Sequence, residues 1–135
     1  MLSKLVYTIS TYSGLKGLVH MSVNEKSIVN DVMYDFTESC KQLLGNNLVD
    51  VILYGSYARG DYQQSSDIDV MVLVNGDNNI AKNNKTKICN IACDIDSKYN
   101  YEVYISAFVQ NQNVFDSPTN LYYNNIRKDG ISFYA

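Results

Sequence analysis

Two acidic residues, Asp67 and Asp69, stand one residue apart where the apolar run IDVMVLV (Ile68 to Val74) begins. In an extended strand, residues i and i+2 point to the same face, with their Cα atoms roughly 6.6 Å apart. Both carboxylates can therefore serve one metal ion, or a pair of ions about 3.5–4 Å apart. Without a cation each would repel the other and raise its pKa. Upstream, Gly55-Ser56 follows a second apolar run, LVDVILY. Glycine permits a sharp turn and lets an anion approach the backbone closely. A helix starting at Ser56 would add free N–H groups and the positive end of its dipole. A third acid would complete a two-metal site and could act as base toward a hydroxyl, and Glu102, expected at the start of a third strand, is the candidate. The chain contains its own control in Asp94-Ile95-Asp96. That pair falls in a helical pattern, where i and i+2 diverge by roughly 200°. It reads as solvated charge on a helix face.

The elements that must position these residues follow from periodicity. Ser22-Val-Asn-Glu25 fits a capping box. Apolar positions from Ile28 to Leu44 then recur at helical spacing, so a helix is expected over 23–44, stopped at Gly45. Leu48 to Tyr54 and Ile68 to Val74 read as buried strands. A polar-rich helix is expected from about Ile80 to Lys98, followed by a third strand from Tyr101 to Val109. Asp116-Ser-Pro118 suggests a cap with proline in the first helical turn, opening a helix that carries Leu121, Tyr122 and Ile126 and ends at Gly130. A last strand, ISFYA, follows. The order is strand and helix in alternation, an α/β (α+β) fold with a small mixed sheet flanked by helices.

The chain has 135 residues, a length that suits one domain. A net charge of −3 argues against a nucleic-acid binder, whose phosphate contacts need a basic face. A nucleotide substrate is still compatible, because a divalent metal neutralises phosphate locally. No segment approaches the roughly 18 apolar residues of a membrane span. The N-terminal apolar run is broken by Thr8, Ser10, Thr11 and Ser13, which makes a poor signal peptide. Cys40, Cys89 and Cys93 form no C-x-x-C pair and, with His20 as the only histidine, offer no full metal set. They read as reduced, small core residues, and so as a mark of the cytoplasm. The high tyrosine content reads as core and interface packing, with one ring available to stack on a base. Residues 1–20 form an extension before a domain spanning 21–135.

The stretch GSYARGDYQQSSDID, Gly55 to Asp69, resembles the G-S-x-A-R-G…S-D-I-D signature of the minimal nucleotidyltransferases (MNT). These belong to the nucleotidyltransferase superfamily that includes DNA polymerase β. The resemblance covers roughly residues 22–135 and implies the nucleotidyltransferase core fold. It implies that Gly55 and Ser56 hold the β- and γ-phosphates of a nucleoside triphosphate. Arg59 would brace the loop or contact phosphate, and Ser66 matches the nucleotide-binding signature. Asp67, Asp69 and Glu102 would ligate two Mg²⁺ ions. The implied reaction is in-line attack of an acceptor hydroxyl on the α-phosphorus of ATP or another nucleoside triphosphate, with pyrophosphate leaving.

Larger members carry a second domain that forms the acceptor site, whereas this chain matches the catalytic core. A protein partner is the implied remedy. MNT proteins resemble the antitoxin half of toxin–antitoxin pairs whose other half is a small helical HEPN protein. The implied activity is transfer of AMP to a tyrosine of that toxin. Two alternatives stand beside it: a small-molecule nucleotidyltransferase of the aminoglycoside type working as a homodimer, and a nucleotide- or partner-binding module without turnover.

Overall fold

The computed structural model describes residues 23–134. The proposed 1–20 extension, His20 and the capping serine Ser22 lie outside the described residues. Helix α1 (Val23–Leu44) runs into a single 3-10 turn at Gly45–Asn47 and then strand β1 (Leu48–Tyr54). A one-turn helix α2 (Ser56–Arg59) and a loop lead to β2 (Ile68–Val74). Helix α3 (Asn78–Lys98), strand β3 (Ile105–Asn111), the short α4 (Gln112–Phe115), helix α5 (Leu121–Asp129) and strand β4 (Ile131–Ser132) complete the order. The four strands form one mixed sheet, ordered β3-β2-β1-β4. β1 is antiparallel to both β2 and β4, and β2 is parallel to β3. This is the expected α+β sheet flanked by helices.

Alternation along the strands divides the core into two layers. Val51, Leu53, Ile68, Val70, Val72, Val74 and Ile105 face α1 and α3, where they meet Val32, Met33, Phe36, Ile88 and Ile95. The other face carries Ile52, Tyr54, Met71 and Leu73 against Phe115 and Ile126 from the C-terminal helices. Each fully buried aliphatic or aromatic side chain contributes about 1.5–3 kcal/mol, so the sheet is held from both sides. A polar clasp joins α1 to the end of α3: the Tyr99 hydroxyl and Lys98 Nζ both donate to Asp35 Oδ2, at 2.7 and 2.6 Å.

Several expectations are corrected. α3 opens two residues early because Asp77 caps it, its side chain accepting from the Asn79 N–H at 2.9 Å. The third strand begins at Ile105 rather than Tyr101. Residues 100–104 are consumed in closing α3: Asn100 and Tyr101 take positive φ values of 56° and 58°, and the Tyr101 N–H returns to the Asp96 carbonyl. The last helix is capped by Asn120, whose side chain accepts from Tyr122 N and Tyr123 N, and not by the Asp116-Ser-Pro118 stretch. The final strand has only two residues.

Asp96 is not solvated. It is buried, and its Oδ1 accepts from the Ile105 N–H at 3.0 Å, so it fixes where β3 starts. Asp94 is exposed as expected. Of the cysteines only Cys40 is a core residue, while Cys89 and Cys93 are exposed on α3.

Candidate functional site

Strand register builds the site. Tyr54 pairs with Asp69 across β1 and β2, and Asp69 pairs with Ser106 across β2 and β3. Paired residues share a face, so Tyr54, Asp69 and Ser106 form a row on the face that also packs α5. The chain turns sharply after Tyr54 at Gly55, whose φ of 73° and ψ of −153° suit glycine alone. A Cβ built on Gly55 would lie 2.2 Å from Asp69 Oδ2. The missing side chain is therefore the space in which the Asp69 carboxylate sits. Ser56 opens the one-turn α2, which closes through the Arg59 N–H to the Gly55 carbonyl at 3.1 Å.

These groups surround an open cavity of about 580 Å³. Its lining includes Gly55, Ser56, Arg59 and Asp69, Ser106 and Phe108 of β3, and Tyr122, Asn125 and Asp129 of α5. The volume lies within the range of small-molecule ligand sites, about 300–1,000 Å³. Burial raises the Asp69 carboxyl above its ordinary value, the Asp67 charge raises it further, and Arg59 opposes the shift. Arg59 also pairs with Asp61 at 3.2 Å, bracing the loop beyond α2 while its side chain remains half exposed.

Ser66 braces the same loop from its other end. Its hydroxyl accepts from the Gln63 N–H at 2.8 Å and its N–H donates to the Gln63 carbonyl. It is a loop-shaping residue outside the cavity lining. Tyr54 is buried, and burial pushes its hydroxyl pKa upward, with the hydrogen-bonded Tyr122 hydroxyl, 3.1 Å away, as the second cause.

Glu102 does not join the acids. It precedes β3 in the turn that ends α3, exposed, and lines a separate cavity with Ile28, Val29, Tyr57, Tyr62, Gln64 and Val103. The β3 residue in register with Asp69 is Ser106. Among the described residues no group of three His, Cys, Asp or Glu side chains is placed to hold a metal. The donor set for a cation is thus two carboxylates of hard oxygen. That suits Mg²⁺, which commonly takes one or two protein carboxylates and completes its shell with substrate phosphates and water.

Sequence reasoning missed Ser106, Phe108, Asn125 and Asp129. Phe108 carried a signal, since it alternates with Ser106 along β3. Asn125 and Asp129 carried none, because only the packing of α5 on the sheet brings them to the cavity.

Similarity to known proteins points to one family. The profile of the nucleotidyltransferase domain family matches residues 33–123, which include β1, the Gly55 turn, β2 and β3. Two similar proteins of Methanocaldococcus jannaschii both bear the name "Putative protein adenylyltransferase". One is 39% identical over 49 residues, 36% of this chain and 33% of that protein. The other is 34% identical over 84 residues, 62% of this chain and 81% of that protein. The match thus spans about a third of the first relative and four fifths of the second. A crystal structure described as a toxin–antitoxin with AMP-PNP aligns with a TM-score of 0.45 at 18% identity, covering 72% of this chain and 68% of that one. With the glycine turn seated against Asp69 and the family profile spanning the turn and both acids, the chain belongs to the nucleotidyltransferase domain family.

Proposed function

We propose that this nucleotidyltransferase moves AMP from ATP onto a tyrosine hydroxyl of a helical HEPN protein, acting in the cytoplasm as the antitoxin of a toxin–antitoxin pair. The observation that carries the reading is the shared cavity, in which the Gly55-Ser56 turn, Arg59 and Asp69 converge. Ser56 and its N–H meet the β- and γ-phosphates, and Arg59 adds positive charge beside them. Phe108 and Tyr122, both about half exposed, offer ring faces for the base. Asp67 and Asp69 would hold Mg²⁺, which supplies charge neutralisation at the triphosphate. One ion would be held by these two carboxylates, and a second would arrive with the nucleotide. The acceptor's phenolic proton would pass to a carboxylate oxygen of the site or to water. The phenolic oxygen bonds to the α-phosphorus, the bond from that phosphorus to the bridging oxygen breaks, and pyrophosphate leaves.

The relatives' names support protein as the acceptor class. The test combines the chain, a candidate HEPN partner, MgCl₂ and α-labelled ATP, with Asp69→Asn as control. Label on a partner tyrosine that vanishes with the substitution is expected. Label on no protein, or label that survives Asp69→Asn, would overturn the reading.

A further inference from the structure

We infer that the acceptor docks as an added strand on the open edge of β3, presenting a tyrosine across Ser106 toward Asp69. The inference rests on the reading of the site as a protein nucleotidyltransferase, and it specifies how the acceptor is held. β3 is an outer strand of the described sheet. Outer strands usually carry a charge, a proline or a bulge that blocks pairing with another chain. β3 has none of these. It keeps unbroken register with β2 over seven residues, and no charged residue or proline occurs from Val103 to Phe115.

The hydrogen-bonding groups of this edge can be assigned. The Ile68 N–H donates to the Tyr104 carbonyl at 2.8 Å, which sets the phase of the parallel ladder. Ser106, Phe108 and Gln110 then turn their main-chain groups toward β2, and Ile105, Ala107, Val109 and Asn111 turn theirs outward. The two outer positions are occupied from within the chain. The Ile105 N–H donates to Asp96 Oδ1 at 3.0 Å, and the Asn111 N–H donates to Gln110 Oε1 at 2.8 Å. Between these caps the N–H and C=O groups of Ala107 and Val109 have no partner among the described residues. The edge is thus closed at both ends and open in the middle, a frame for an extended segment of a few residues. Exposed Tyr104 and Phe108 flank it with apolar surface.

Position then selects the acceptor side chain. Successive strands lie about 4.8 Å apart, so a residue beside Ser106 on an added strand stands about 9.6 Å from Asp69 along the row. Side chains leave a sheet roughly perpendicular to it. A tyrosine of about 6.5 Å from Cα to hydroxyl therefore approaches Asp69 by leaning across Ser106, which a serine of about 2.4 Å is too short to do. Ser106 is small enough for the ring to pass over it. The same frame thus favours an uncharged, extended, tyrosine-bearing segment.

The test uses amide hydrogen exchange and AMP transfer on the whole chain with a blocked peptide, Thr-Val-Tyr-Val-Thr, and its serine counterpart. With peptide present, exchange at Ala107 and Val109 should slow at least tenfold, and the tyrosine peptide alone should accept label. Ala107→Pro removes one outward N–H, so it should raise the peptide KM at least tenfold and leave ATP affinity unchanged. Unchanged exchange at both amides, or equal labelling of the tyrosine and serine peptides, overturns the inference. So does protection that appears without peptide and grows with protein concentration, since a second copy then occupies the edge. Labelling without protection would refute this docking and leave the proposed function standing. Protection without labelling of any acceptor would do the reverse.

Discussion

Replacing Gly55 with alanine tests the contact on which the site depends. Two costs can be separated. The backbone at φ 73° and ψ −153° lies in a region open to glycine, and holding another residue there costs about 1–3 kcal/mol. The new Cβ would also stand 2.2 Å from Asp69 Oδ2, where real Cβ contacts essentially never fall below 3.0 Å. The carboxylate must retreat by the difference, 3.0 − 2.2 = 0.8 Å, or the turn must open. A misplacement of about 1 Å at a reacting centre costs on the order of 100-fold in rate. Gly60 supplies the control, with φ 84° and ψ 8° and nothing within 4 Å of its added Cβ. Gly60→Ala should lose about 1–2 kcal/mol through backbone conformation alone and keep its activity. Urea unfolding of both variants measures the first cost. Mn²⁺ titration and AMP transfer measure the second. Gly55→Ala should lose about 100-fold in transfer and bind Mn²⁺ more weakly, whereas Gly60→Ala should do neither. If the two variants retain transfer within about threefold of each other, the contact between turn and carboxylate is not what organises the site.

Four further outcomes follow from the same geometry. Glu102→Gln should leave transfer within about twofold of wild type, while Asp67→Asn and Asp69→Asn each reduce it by about 100-fold or more; steady-state rates decide, and a large loss in Glu102→Gln would return it to the acid set. Burial raises the Asp69 and Asp96 carboxyls, so the folded state holds their protons more tightly than the unfolded chain and stability climbs as pH falls from neutral toward the ordinary value of 3.8. Below that value the Asp35 carboxyl, lowered chiefly by its hydrogen bond from Lys98, becomes protonated and reverses the trend. Asp69→Asn should flatten the upper part of this profile and be more stable than wild type at pH 7 without divalent cation, as urea midpoints at several pH values would reveal; a steeper profile contradicts the assignment. Asp96→Ala leaves the buried Ile105 N–H without its acceptor and should cost about 1–3 kcal/mol, with Asp96→Asn closer to wild type in thermal melts. Maleimide should label two thiols per native chain, Cys89 and Cys93, and reach Cys40 only on unfolding, because burial pushes that thiol up to about 12.

What the chain reveals unaided is mostly local. The two strands Leu48–Tyr54 and Ile68–Val74 have the bounds that their apolar, β-branched runs predict. The 23–44 helix also ends where Gly45 stops its period. The Gly55-Ser56 turn falls where the sequence places it, because glycine's backbone freedom acts over neighbouring residues. The resemblance to the minimal nucleotidyltransferases rests on the stretch from Gly55 to Asp69.

Long-range packing decided the rest. Glu102 looked like a strand residue because YEVYISAFV is apolar and β-branched, yet closing α3 consumed residues 100–104 and delayed the strand. Asp96, read as surface charge, is buried because the end of α3 folds back over the start of β3, where its carboxylate replaces a missing strand partner. Ser106 reached the site only through its register with Asp69, and Asp129 only through the docking of α5. Sequence spacing carries the geometry within one element. Which residues face one another across elements is set by register and burial, and these come from the whole fold.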